Sequence, residues 1–322
     1  MRLFFVIIIS IALQGCLSDV PHTNPIDPLN PQKGYTLNGM VTSLYDPVQP
    51  LANCLLILHP GDQRTFSDEN GRFVFENLSP DTYALTATRA RYQSDSLTFS
   101  LTGDQTINIR LDGLPQFETI GITTHHTSQF FPVDDLYYVA LHTSVNDPDG
   151  LSDISRVLVD IPEYSFTDTL QITPTPGVYT LRVNVEDLPV NTVQNLIGRA
   201  LYFRVYDQPG AVIRSTPRYL TRVIETTPVP TEPTGLSTVP GDTITFRWQP
   251  LSLPYDFSLK IQLYQINQGV LFFINEINVG APLGNSSKQE NTLPAGDYVW
   301  RLMIVDEFGN TSLSKESTFK VN

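Results

Sequence analysis

The chain has 322 residues, too many for one hydrophobic core and enough for two or three at roughly 100 to 150 residues per domain. It carries 33 acidic against 20 basic residues, a formal charge of −13, so phosphate backbones and anionic lipid surfaces repel it and no nucleic-acid partner is expected. The composition of 25 Pro, 17 Phe and 14 Tyr against 3 Met favours strands and turns over helices, and two cysteines are too few for a disulfide framework.

Arg2 provides a positive start, Leu3 to Leu13 is an apolar run, and Leu13-Gln14-Gly15-Cys16 closes it with a small residue ahead of a cysteine. The run is about half the ~20 residues needed to cross a bilayer, so it reads as a secretory signal over residues 1–15. The ending resembles the lipobox of bacterial lipoproteins. That resemblance implies that Cys16 is acylated and becomes the first mature residue. Leu17 follows the cysteine, where an aspartate would imply inner-membrane retention, so a lipid anchor in the outer membrane of the cell envelope is expected. An ordinary signal peptide with an incidental cysteine is the alternative.

Residues 16–33 form a tether, with prolines at 21, 25, 28 and 31 and no apolar period. Such a stretch favours semi-rigid polyproline II reaching up to ~3.1 Å per residue. From 34 to 115 short apolar runs alternate with turn signals. Asn70-Gly71 between Thr65 to Ser67 and Arg72 to Phe75 is a hairpin signal, and further strands read at Tyr83 to Thr88, Leu97 to Leu101 and Thr106 to Leu111. Cys54 sits in the apolar run Asn53 to Leu58 and is expected to be a buried, inert thiol.

The set Gly39-Met40-Val41, Pro50 to Asn53, Ser67 to Phe73, Asn77-Leu78, Tyr83 to Leu85, Tyr92 and Ile107 to Leu111 resembles the carboxypeptidase regulatory-like domain. The resemblance implies a transthyretin-like β-sandwich in an accessory role and implies no peptidase activity. Two positions depart from the pattern: Asp81 stands where the family carries a turn glycine, and Arg91 replaces the glycine before Tyr92.

In residues 116–226, Tyr179, Leu181, Val183 and Val185 alternate with polar residues, as do Leu201, Phe203 and Val205. Period-2 alternation predicts a second, immunoglobulin-like sandwich. Asp147, Asp149 and Asp153 gather three carboxylates around Gly150 and are candidate Ca²⁺ ligands. The preferred reading of Asp147-Pro148-Asp149-Gly150 over a metal site is a hairpin turn between Leu141 to Val145 and Arg156 to Val159.

A proline-rich seam, Thr226 to Pro233, precedes residues 227–322. There Trp248, Leu293, Tyr298 and Trp300 resemble a fibronectin type III domain. The Leu-to-Tyr spacing recurs at Leu78 and Tyr83, as if each tyrosine hydroxyl reaches back to a turn.

Chemistry-bearing motifs are sparse. No histidine is followed by the spacing of a His-x-x-Glu or His-Glu-x-x-His zinc motif, and neither a Gly-x-Ser-x-Gly elbow nor a phosphate loop occurs. His125 and His126 would face opposite sides of a strand. The pairs Phe130-Phe131, Tyr137-Tyr138 and Phe272-Phe273 are expected to be claimed mostly by cores, and the sequons at Asn285 and Asn310 read as polar loops.

The reading is therefore all-β: three serial antiparallel sandwiches behind a lipoprotein signal peptide and Pro-rich tether. It describes a non-catalytic cell-envelope lipoprotein presenting modules for protein binding or scaffolding. Carbohydrate binding is the alternative, and a less favoured one is an accessory subunit of an envelope enzyme. No cofactor is expected beyond the Ca²⁺ candidate.

Overall fold

A computed structural model describes residues 34–133, 135–281, 286–289 and 293–322. The signal segment, Cys16 and the tether lie outside the described residues. The chain is all-β, and among the described residues its helical elements are 3₁₀ turns of three or four residues. It divides after Gly113 into two compact units.

The first unit is a seven-stranded sandwich. Its strands are β1 (Tyr35–Ser43), β2 (Leu55–His59), β3 (Gln63–Phe66), β4 (Arg72–Leu78), β5 (Asp81–Thr88), β6 (Asp95–Leu101) and β7 (Gln105–Leu111). One sheet runs β4-β1-β7, with β1 and β7 parallel, and the other runs β3-β2-β5-β6. Alternation sorts the faces: Phe73 and Phe75 of β4, Leu56 and Leu58 of β2, and Tyr83, Leu85 and Ala87 of β5 all point into one core. Cys54 is fully buried there, and burial pushes its thiol pKa up, as expected of an inert thiol.

The Asn70-Gly71 hairpin expectation is corrected. β3 pairs with β2 and β4 pairs with β1, so this turn carries the chain from one sheet to the other. The turn chemistry itself holds. Gly71 adopts φ +74, where a Cβ would also meet the Val41 carbonyl at 2.4 Å, and Asp68 Oδ1 accepts the Asn70 and Arg72 amides at 2.9 and 2.8 Å. Asp81 opens β5, whereas Arg91, in place of the family glycine, does sit at φ +69. Tyr83 donates its hydroxyl to Ser79 O at 3.0 Å.

The second unit holds two cores; a 14-stranded sheet runs through both halves, beside a separate three-stranded sheet. Its first half contains β8 (Gln116–Thr127), β9 (Leu136–Asn146), β10 (Ile154–Ile161), β11 (Phe166–Ile172), β12 (Val178–Asn184), β13 (Ala200–Asp207), β14 (Val212–Arg214) and β15 (Arg218–Tyr219). Its second half contains β16 (Pro230–Glu232), β17 (Ser237–Val239), β18 (Ile244–Trp248), β19 (Phe257–Asn267), β20 (Val270–Gly280), β21 (Ser286–Gln289), β22 (Gly296–Asp306), β23 (Thr311–Leu313) and β24 (Ser317–Val321).

In the first half β11 changes partner within seven residues, pairing with β10 through Leu170 and with β12 from Gln171, which folds the strands around one core. Val139, Leu141 and Val145 of β9 meet Leu201, Phe203 and Val205 of β13 in it. In the second half Phe246, Trp248, Ile261, Tyr298, Trp300 and Phe319 form another core, and Tyr298 donates to Pro294 O at 2.8 Å. Both tyrosines thus reach back four residues, as the repeated spacing predicts.

The two halves are joined by parallel pairing of β23 with β8, register Thr311 to His125 and Leu313 to Thr127. Behind that joint, buried Asn310 accepts the Thr124 amide at 2.9 Å and donates to Asp306 Oδ2 at 2.9 Å. Arg222 bonds Asp306 Oδ2 at 3.1 Å, and Thr124 Oγ1 donates to Arg222 O at 2.8 Å. Asn310 is therefore a buried structural residue and not part of an open polar loop. The proline-rich seam is likewise built in. β16 pairs with β18, and Pro233 O accepts from Trp300 Nε1 at 2.8 Å and Ser317 Oγ at 3.1 Å.

Candidate functional site

The most concentrated chemistry among the described residues of the second unit is acidic. Alternation puts Leu141, Thr143 and Val145 inside the first core, and the same period carries Asp147 inward just past the end of β9. On β13 the period Leu201, Phe203, Val205 ends on Asp207, also inward. Asp147 is 5% exposed and Asp207 3% exposed. Between them in sequence, the Asp147 to Asp153 turn is folded by its own backbone. Gly150 donates to Asp147 O at 3.1 Å and Asp153 to Gly150 O at 3.1 Å, with Gly150 at φ +104.

Ile154 pairs with Asp207, and the Gln208 amide bonds Asp153 O at 2.8 Å, so β13 brings its end against this turn. Carboxylate oxygens of Asp149 and Asp153 lie within 4.8 Å of one another. Asp147 Oδ1 accepts the Asp149 amide at 2.8 Å, and Asp207 Oδ1 accepts the amides of Gly210 and Ala211 at 2.8 and 2.6 Å. The second oxygen of each, Asp147 Oδ2 and Asp207 Oδ2, is buried with no hydrogen-bond partner. Burial pushes the Asp147 carboxyl up to about 6 against the pull of the Asp149 amide, and the charges of Asp153, Asp149 and Asp207 push the same way.

Of the three predicted acids the structure brings carboxylate oxygens of Asp149 and Asp153 within 4.8 Å, while Asp147 is buried near enough to feel their charges and that of Asp207, which the sequence reading missed. The β13 alternation, followed one step further, would have found it. The hairpin reading is corrected: β9 pairs with β8 and β12, β10 with β11 and β13, and the turn links strands that are not partners.

The two adjacent histidines face opposite ways, as expected. His126 is buried, bonding Asp135 Oδ2 at 2.9 Å and Ile224 O at 3.1 Å. His125 stacks on Tyr138 at 4.5 Å and bonds Thr123 Oγ1 and Thr311 Oγ1 at 2.8 and 2.7 Å. Burial, with the Arg182 charge adding, holds its pKa down to about 4. Both imidazoles are spent on the β8 to β23 joint.

Tyr137 and Tyr138 are half-buried, but the other two aromatic pairs depart from expectation. Phe130 and Phe131 are both exposed, and so are Phe272 and Phe273. The latter belong to β20, the last strand of its sheet, where Val270, Leu271, Phe272, Phe273 and Ile274 are each 42–58% exposed. The strand pairs only with β19, so its outer backbone edge is open among the described residues. Both tryptophans are buried.

The fold and these features define a tandem β-sandwich protein whose distinctive features are buried aspartates at the end of one core and an apolar sheet edge. Residues 36–112 match the family model of the carboxypeptidase regulatory-like domain, the resemblance expected of the first unit. A search of curated proteins finds no match. Three solved structures illustrate its structural neighbours. Fibronectin domains 1–3 of chicken CNTN1 share 10% identity at TM-score 0.36, covering 90% of this chain and 99% of that one. The fibronectin(III)-like modules of Clostridium thermocellum CbhA share 10% identity at TM-score 0.29, covering 65% and 93%. A type II cohesin-X-dockerin complex from Acetivibrio cellulolyticus shares 20% identity at TM-score 0.22, and the match spans 24% of this chain and 57% of that chain. At these scores none bears on function. No helix among the described residues is long and apolar enough to cross a membrane.

Proposed function

We propose that the chain is a non-catalytic cell-envelope lipoprotein, anchored through Cys16 in the outer membrane, that presents its sandwiches to a protein partner. The observation that carries the binding reading is β20. An eleven-residue edge strand with five consecutive exposed apolar side chains offers a partner both main-chain hydrogen bonds and apolar area. Neighbouring side chains on a strand face opposite sides, so this apolar area is offered on both faces of the edge. The reading is supported further by the match of residues 36–112 to a regulatory-like domain, an accessory module.

Two measurements test it. Radiolabelled palmitate should enter the protein and be lost in Cys16→Ala; a water-soluble protein with an unmodified cysteine defeats the anchor. A photo-crosslinking residue at position 272 should trap a discrete envelope protein in intact cells, and Phe272→Asp with Phe273→Asp should abolish a complex captured at another position. Absence of any adduct from position 272 defeats the edge as the binding surface. A glycan is the second reading, favoured by the exposed Phe130 and Phe131 rings, and it requires a glycan-array signal lost in Phe131→Ala.

A further inference from the structure

We infer that one face of the long sheet in the second unit carries a further binding site, a groove whose arginines take the carboxylates of an extended acidic peptide segment. The groove has a volume of about 530 Å³ and crosses the joint between the two halves. Its lining residues come from neighbouring strands in the order β12-β9-β8-β23-β22-β19. Register sets the row: Tyr138 stands opposite His125, His125 opposite Thr311, and Arg301 opposite Gln262. Arg182 enters from β12 at one end, and Arg301 from β22 towards the other. No aspartate or glutamate is among the lining residues, although the chain carries a net charge of −13. A cleft lined by one sign of charge focuses its field on a ligand of the other.

Arg182 is the uncompensated charge. Its guanidinium lies 3.8 Å from the centroid of the Tyr138 ring, and its Nε donates to Asn184 Oδ1 at 3.3 Å. Among the described residues it forms no ion pair. The planar fork therefore keeps its outer donors for a carboxylate, which such a fork takes bidentately. Arg301 is shared with Glu316 and is the weaker anchor. Burial, with the Arg182 charge adding, holds the His125 pKa down to about 4, so the imidazole adds no charge at neutral pH.

The geometry favours a peptide over a sugar. β9 lies between β12 and β8, so Arg182 and His125 cover the Tyr138 ring from its two sides, the imidazole stacking at 4.5 Å. Tyr138 thus offers no bare face for a sugar ring to stack on. Four strand spacings of ~4.8 Å separate β12 from β22, roughly 19 Å along the sheet, which an extended chain covers in roughly six residues. No β20 residue lines the groove, so this reading and the β20 reading stand or fall separately.

The test titrates the full-length protein in detergent into fluorescein-labelled hexaglutamate at about 150 mM NaCl. Anisotropy should saturate with Kd below roughly 1 mM, and labelled hexaglutamine should not bind. Arg182→Gln removes a charge-assisted contact and should weaken binding by about tenfold or more. Glu316→Gln releases Arg301 and should tighten binding about threefold, whereas exposed Arg214→Gln, outside the groove, should leave it unchanged. Arg182 is exposed with one side-chain hydrogen bond, so its variant is expected to fold, with strand-dominated circular dichroism. No saturation by hexaglutamate, or equal binding by wild type and Arg182→Gln, overturns the inference. Tighter binding of tetragalacturonate than of hexaglutamate overturns it too, by making the groove a glycan site.

Discussion

Replacing Asn310 by alanine tests whether residues 114–322 behave as one body. In the native chain the Asn310 side chain makes two bonds, to the Thr124 amide and to Asp306 Oδ2, each 2.9 Å, at a position 2% exposed. Each such bond contributes about 1 kcal/mol net, and truncation also strands a buried Thr124 N–H, which costs about 1–3 kcal/mol. Arg222 still reaches Asp306, so its carboxylate keeps a partner. The expected loss is about 2–4 kcal/mol, against about 0.5 kcal/mol for an asparagine in an open loop. With an m-value of roughly 2 kcal/mol/M in urea, the midpoint should fall by about 1 M or more.

Trp248 and Trp300 report the C-terminal core alone, so their fluorescence follows that half. Hydrogen exchange of peptides from β10 and β13 follows the other. In wild type the two probes should lose structure together, and in Asn310→Ala they should separate. A midpoint shift below about 0.25 M, or separate transitions already in the wild type, would refute the reasoning.

Three further outcomes follow from local physics. His125 titrates near 4 and not near 6.5, so the folded state binds fewer protons than the unfolded one. Its contribution is complete above pH 6.5 and is lost as pH falls towards 4, by at most about 3 kcal/mol, and His125→Gln should flatten that part of the pH–stability curve. Equal slopes in the two proteins would count against it. Arg91 is exposed and held at φ +69, so Arg91→Gly should raise the urea midpoint by the equivalent of about 0.5–1 kcal/mol, and a lowered midpoint contradicts the strain. Tyr298→Phe deletes only the bond to Pro294 O and should cost about 1 kcal/mol in thermal unfolding, with the ring still packed on Phe319; no loss would show that bond to be idle.

Local patterns survived the passage from sequence to structure because they depend on near neighbours. The Leu-to-Tyr spacing at Tyr83 and Tyr298 predicted two hydroxyls reaching back to turns, and both do. Alternation on β12 and β13 sorted inside from outside correctly. What failed was partnership between strands. Asn70-Gly71 and Asp147 to Gly150 are both genuine turns, yet each joins strands that pair elsewhere. A turn fixes the reversal of the chain, while the sheet each arm joins is decided by long-range packing that no short window contains. The β8 to β23 pairing spans 186 residues between His125 and Thr311, and nothing local announces it. Asn310 looked like an ordinary polar loop for the same reason.

The exposed β20 patch was misread in the opposite direction. Five consecutive apolar residues normally mark a doubly covered strand, and only the strand's place at the end of the sheet leaves them open. The acidic cluster lies between these cases. Its three turn residues were visible as a motif, whereas Asp207 was visible only as the last step of a period. Once the period-2 rule has placed Val205 in the core, it places Asp207 there too. A carboxylate at a position where the pattern demands an apolar residue conflicts with burial, and such conflicts concentrate at functional sites. The same logic applies to Asp147 after Val145. Asp147 just after β9 and Asp207 at the end of β13 each close an apolar period on a buried aspartate, so these two acids follow from strand alternation and not from loop composition.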